Sequence, residues 1–95
     1  MEKQYCIIRT DRAGVFAGYI KRREGSEATL ADVRRLWYWA GAASLSQLAT
    51  TGTSRPKECK FTVVVPEMIV LGIIEIIPCT EKAEQSIKGV STWTA

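Results

Sequence analysis

Two arginines, a leucine and three consecutive aromatic residues, RRLWYW at 34–39, are the densest grouping of potentially functional side chains in the chain. If the stretch is extended, Arg35, Trp37 and Trp39 share one face and Arg34, Leu36 and Tyr38 the other, because side chains alternate along a strand. Aromatic rings are stacking platforms for bases, and guanidinium groups bind phosphate through paired hydrogen bonds, so each face describes a nucleotide site. The same pattern also describes a packed core face and a subunit seam, with arginine capping the aromatic surface by cation–π contact. Two further segments offer anion chemistry. RTDRAG carries Arg9, Thr10, Arg12 and Gly14 in a turn whose backbone N–H groups suit a phosphate, although a charged hairpin turn has the same composition. TTGTSRPK, rich in hydroxyls and bearing Arg55 and Lys57, has the character of a phosphate or ribose loop, or of an ordinary surface loop. Glu75 interrupts an apolar run and is expected to pair with Arg34 or Arg35, or else to accept from a ribose hydroxyl or a base N–H.

Several activities are disfavoured by what the sequence lacks. With no histidine, the commonest general base and transition-metal ligand is missing. There is no G-x-x-x-x-G-K motif, and Cys6, Cys59 and Cys79 are too widely spaced for a zinc site or a disulfide framework. The reading is therefore non-enzymatic, without cofactor or metal, in a reducing cytosol. A net charge of +3 and no visible basic recognition helix argue against a duplex-DNA reader. The charge is uneven, however: residues 1–60 hold eleven Lys and Arg against six acids, whereas 61–95 hold two against four. That asymmetry suits an anionic partner or head-to-tail self-association. The longest apolar run, MIVLGIIEII, is about half the length needed to cross a bilayer, and the amino terminus has no signal-peptide pattern, so no membrane association is expected.

These side chains must be positioned by a small fold. Ninety-five residues suit a single domain, 1–95, and so short a chain gains from oligomerisation because it buries only roughly 60–65% of its unfolded surface. QYCIIRT and GVFAGYIKRR are expected as a hairpin, with Gly14 in the turn and Gly18 at a bulge, bend or close backbone approach. EATL is extended, with Asp32 interrupting before RRLWYW continues. Residues 28–40 also fit a helical period, but the aromatic cluster favours a strand. AASLSQLATTG predicts a helix capped by Ser44 and ended by Gly52, and TEKAEQSIKGV a second one opened by Thr80. KFTVVV reads as a strand with Phe61, Val63 and Val65 on one face, closed by Pro66. MIVLGIIEII reads as the most buried strand, central or covered by another subunit. The sum is α+β: about five strands in a small, strongly bent antiparallel or barrel-like sheet, analogous to Sm-like and SH3-like barrels, with two short helices.

At RTDRAGVFAG, RRLWYWAGAASLSQLA and IEIIPCTEKAEQSI the chain resembles a family of small tailed-phage and prophage proteins, over most of its length. The resemblance carries over no catalytic residues. It implies a phage protein acting in the host cytoplasm. Oligomeric phage proteins of this size without catalytic groups include sponges that sequester the nucleotide second messengers of bacterial immunity. The expected function is thus sequestration of a cyclic oligonucleotide or cyclic ADP-ribose derivative by a homo-oligomer, through Arg9, Arg35, Trp37, Trp39 and Arg55. A phage structural or protein-interaction module and a single-stranded nucleic-acid binder are the alternatives.

Overall fold

A computed structural model describes residues 4–95. The chain begins with three successive antiparallel strands, β1 (Tyr5–Thr10), β2 (Val15–Glu24) and β3 (Glu27–Tyr38). Helix α1 (Leu45–Thr51) follows, then a 3-10 turn at Pro56–Glu58 and the short strand β4 (Lys60–Phe61). Strands β5 (Val65–Val70) and β6 (Ile73–Pro78) and helix α2 (Glu81–Lys88) complete the order. All six strands join one antiparallel sheet, in the order β4-β3-β2-β1-β6, with β5 pairing on β3 beside β4. The α+β architecture and the bent antiparallel sheet are those the sequence indicates.

The bend has a local cause. Tyr19 pairs with Ala31 and Ala17 with Arg34, so on β3 Asp32 and Val33 face the single residue Gly18 on β2. Asp32 takes up the extra length in the left-handed region at φ 47°, a conformation that Asp tolerates better than most residues. Gly18 is required opposite it: a Cβ there would lie 2.8 Å from Val33 Cβ and 2.9 Å from Val33 Cα. This bulge and a second one at Lys21, where Ile20 pairs with Leu30 and Arg22 with Thr29, curl the β2–β3 hairpin until Ser26, at its tip, accepts a hydrogen bond from the Ile73 N–H at 2.9 Å.

Residues 68–77 behave differently from the expected single buried strand. They split at Leu71–Gly72, and the halves pair at opposite edges of the sheet, Val70 with Ala28 of β3 and Ile73 with Thr10 of β1. The three residue steps from Val70 to Ile73 span at most about 10 Å, so both edges must come together at that point although β5 and β6 do not pair. Gly72 makes the corner at φ 71°, and its carbonyl accepts from the Asp11 N–H at 2.8 Å. The run is apolar because each half packs one face into the rolled sheet; Ile69, Leu71 and Ile74 are exposed. The strand buried on both faces is instead β1. KFTVVV is also shorter than expected, since strand geometry stops after Phe61 and resumes at Val65 in β5, which contains Pro66. Val63 and Val64 are exposed in between.

Alternation along β1 divides the interior in two. Cys6 and Ile8 enter the rolled sheet with Phe16, Leu30, Val33 and Val70. Tyr5 and Ile7 face outward beneath the helices, with Leu36, Phe61, Leu48, Ala83 and Ile87. Both helices are capped as the sequence indicates: Ser44 Oγ accepts from the Gln47 N–H and Thr80 Oγ1 from the Ala83 N–H. At the centre of the second layer lies Arg34, 2% exposed. Its Nε donates to Thr62 O at 3.0 Å, Nη1 to Ile87 O at 3.0 Å and Val90 O at 2.9 Å, and Nη2 to Phe61 O at 3.2 Å. The guanidinium also lies 5.6 Å from the centroid of the Phe61 ring. One cation thus fastens β3, β4 and the carboxyl-terminal end of α2, where the helix dipole favours positive charge.

Arg34→Ala should remove this donor from four carbonyls, of which Phe61 O and Ile87 O keep a backbone N–H, and lower stability by roughly 2 kcal/mol or more, at about 1–3 kcal/mol for each group left unsatisfied. Arg34→Lys should recover only part, because an ammonium cannot reproduce the planar fork. Urea unfolding of the three proteins measures this, and a loss below about 1 kcal/mol in the alanine variant would contradict the assigned role. Gly18→Ala should cost about 1–3 kcal/mol in the same assay through overpacking against Val33.

Candidate functional site

The site begins with the residue next to Arg34. Alternation sends Arg34 and Leu36 under the helices, so Arg35 emerges on the opposite face, half-exposed. Its guanidinium lies over the Phe16 ring, 4.8 Å from the centroid. Arg35 Nε is buried and has no hydrogen-bond partner, and no carboxylate among the described residues lies within ion-pair distance of this side chain. A buried donor left unpaired costs about 1–3 kcal/mol, so an acceptor brought to it is worth more here than at an open surface.

Around Arg35 is a pocket of about 610 Å³. The β1–β2 turn contributes Asp11, Arg12 and Ala13, β2 contributes Phe16, and the β5–β6 corner contributes residues 68–72. Every wall follows from the roll of the sheet: the corner lies against the turn only because Leu71–Gly72 joins the two edges, and the Asp11 N–H to Gly72 O bond fixes the contact. Thr10 closes the turn, its N–H and hydroxyl both donating to Gly14 O at 3.0 and 2.8 Å. The cavity combines an apolar wall of Phe16, Met68, Ile69, Val70 and Leu71 with two guanidinium groups, Arg35 and the solvent-facing Arg12. Asp11 is the one acid in its lining. Such a cavity suits a ligand with a flat or apolar body and an anionic group.

The other residues singled out from the sequence do not converge here. Arg9 bonds Glu75 across the β1–β6 pair, Nε to Oε1 at 3.0 Å, which corrects the expected pairing of Glu75 with Arg34 or Arg35. The reason is register: β6 lies against β1, with Glu75 opposite Arg9, two strands away from β3. Arg55 lies 3.6 Å from Glu58 within its own loop. The hydroxyls of that loop are also engaged: Thr50 and Thr51 donate to Ser46 O and Gln47 O, and Thr53 to Ala40 O. This loop braces Gly41, where the chain leaves β3 and a Cβ would lie 2.5 Å from Arg55 N.

RRLWYW is extended through Tyr38, but its aromatic residues do not share one face. Between Leu36–Phe61 and Tyr38–Lys60 the β3–β4 register shifts by one residue, giving a bulge at Trp37. The parity breaks there, so Trp39 packs against the helix-side core with Leu36 while Trp37 remains 61% exposed. Trp37 stacks instead with Trp93 of the tail, ring centroids 6.3 Å apart and planes at 12°. The types of Phe16, Met68 and Leu71 signal only core in the sequence; their convergence depends on the corner at Gly72.

The buried titratable groups of the two core layers serve the fold. The Tyr19 hydroxyl donates to Glu84 Oε2 and accepts from Lys88 Nζ, pinning α2 to β2. Burial pushes the Cys79 thiol up to about 12 and raises Cys6 and the unpartnered Tyr5 hydroxyl above their ordinary ranges, so these groups are neutral at physiological pH.

The family comparison bears on this geometry. A family model described as a domain of unknown function (DUF6948) matches residues 3–87. The chain belongs to that family. The matched span contains Arg35, Phe16, the β1–β2 turn and the β5–β6 corner, hence the whole pocket, whereas Trp93 lies beyond it. No curated protein and no solved structure matches the chain. Among the described residues, no group of His, Cys, Asp and Glu is arranged to hold a metal ion, and no helix is long and apolar enough to cross a membrane.

The shifted thiol and phenol make stability dependent on alkaline pH. Above the ordinary thiol pKa the unfolded chain releases the Cys79 proton while the folded chain retains it, so stability falls from about pH 9 toward pH 12. Tyr5, also raised, contributes with the same sign at the upper end. Urea titrations at neutral and alkaline pH should show this decline, shallower in Cys79→Ala; equal slopes for the two proteins would count against burial of an ionisable thiol.

Proposed function

We propose that this is a phage-encoded, non-catalytic binding protein that holds a nucleotide-type anion in the Arg35 pocket and thereby withdraws a second messenger from bacterial anti-phage defence. The observation that carries the binding step is the unpaired Arg35 guanidinium, its Nε buried without an acceptor, lying on Phe16 at the wall of an apolar cavity. A base or ribose would occupy the apolar part while a phosphate took the donors of Arg35 and Arg12. Phage origin rests on the resemblance at RTDRAGVFAG, RRLWYW and IEIIPCTEKA, and the messenger role on the match between that origin and the chemistry of the pocket. A cyclic oligonucleotide or a cyclic ADP-ribose derivative supplies both the ring system and the charge.

Self-association in the host cytoplasm belongs to the same proposal. Ile74, outside the pocket lining, is a large exposed apolar residue of β6, and no strand pairs on the outer edge of β6 among the described residues. Both features are tolerated more readily when another subunit covers them.

The test is a thermal-shift panel of nucleoside monophosphates, cyclic dinucleotides and trinucleotides, and cyclic ADP-ribose isomers. A ligand at one hundred times its Kd should stabilise the protein by about 2.7 kcal/mol. It should be released intact on denaturation and bind Arg35→Gln at least about tenfold more weakly, as expected for a lost charge-assisted hydrogen bond. No shift across the panel would reject the proposal, and recovery of a cleaved ligand would replace it with an enzyme.

A further inference from the structure

The Arg35 pocket leaves unexplained a pair of exposed aromatic rings. Trp37 and Trp93 are 61% and 42% exposed, and neither belongs to the two core clusters. Their rings are nevertheless ordered against each other, with planes 12° apart. Lys60 Nζ lies 5.6 Å from the centroid of the Trp93 ring, adding a cation to the pair. The placement of Trp93 is fixed by backbone: Thr92 bridges to Phe61, and the Trp93 N–H donates to Phe61 O at 2.9 Å.

The pair also lies near Arg35 along the chain. Trp37 follows Arg35 by two residues on β3, about 7 Å further along the strand. Arg12 and Arg35 line the pocket, with Asp11 as its acid, and Lys60 lies at the tryptophan pair. Indole faces accept any base, and basic groups between two ring-binding places suit a phosphate that joins two rings. A mononucleotide in the pocket would leave the second place unused. A long single strand would call for a longer basic track than three cations.

Resting on the pocket reading above, we propose that the ligand is a dinucleotide unit, two bases joined by a phosphodiester. One base enters the Arg35 pocket and the other stacks on the indoles of Trp37 and Trp93, with Arg35 and Lys60 flanking the phosphate. The unit is the shared chemistry of a linear dinucleotide and a cyclic one, and the measurement separates them. Calorimetric titration of the full chain compares AMP and GMP with pApA and pGpG and with cyclic di-AMP and cyclic di-GMP. Indole fluorescence follows the same titrations.

At least one dinucleotide should bind about tenfold or more tightly than its mononucleotide, the gain from one stacked base, and should quench the exposed indoles. Trp37→Ala should erase that preference, Trp37→Phe should restore part of it, and Arg35→Gln should weaken mononucleotide and dinucleotide together. Preference for the linear or the cyclic member identifies the source of the unit. Equal affinity for mononucleotides and dinucleotides, or an undiminished preference in Trp37→Ala, overturns the two-base proposal and leaves the pocket reading standing. Absence of binding by every probe removes both.

Discussion

The burial of Arg34 is the constraint on which the rest of the structure depends. A guanidinium removed from water must recover its hydrogen bonds, and here it does so from four backbone carbonyls rather than from a carboxylate. Those carbonyls belong to the β4 region and to the end of α2, so satisfying one side chain fixes where two separate segments meet β3. Burial lowers the pKa of Arg34, yet an arginine remains charged in proteins, so its bonds persist at any pH the protein experiences. The nearby Phe61 ring gives the cation a further favourable surface without adding a competing charge.

Strand alternation then divides labour between two adjacent arginines. Arg34 belongs wholly to the fold, and because it is held, Arg35 has one available face. The wall opposite Arg35 comes from distant parts of the chain, the β1–β2 turn and the β5–β6 corner, brought there by the bulge at Asp32. A charged side chain resting on an aromatic ring, without an internal acid to neutralise it, is a surface prepared for an anion. Two residues beyond Arg35 along β3, Trp37 pairs with Trp93 of the tail, while Trp39 serves the core.

Much of the fold was legible because its signals are local. Ser44 and Thr80 as helix caps, Gly18 at a close approach and Asp32 as an interruption each depend on a few neighbouring residues. Longer-range features are not legible in this way. No periodicity reveals which strand lies beside β6, so the sequence alone does not select Arg9 as the partner of Glu75. A hydrophobic pattern such as that of 68–77 looks the same whether a segment is one central strand or divided between two half-covered edges. For the site, Arg35 could be found from its type and spacing, but the pocket around it could not, being assembled from three segments. Trp37 and Trp39 are equivalent by simple alternation, and a one-residue shift in the β3–β4 register separates them.

The short link at Leu71–Gly72 has a consequence for the order in which the molecule takes shape. Val70 cannot reach β3 while Ile73 reaches β1 until the first three strands have curled, so these distant pairings carry a loop-closure cost that the local hairpins escape. The corner that completes the pocket is therefore a late element of folding. Any ligand that requires this corner recognises only chains that have finished rolling, and by occupying the cavity it holds them in that state.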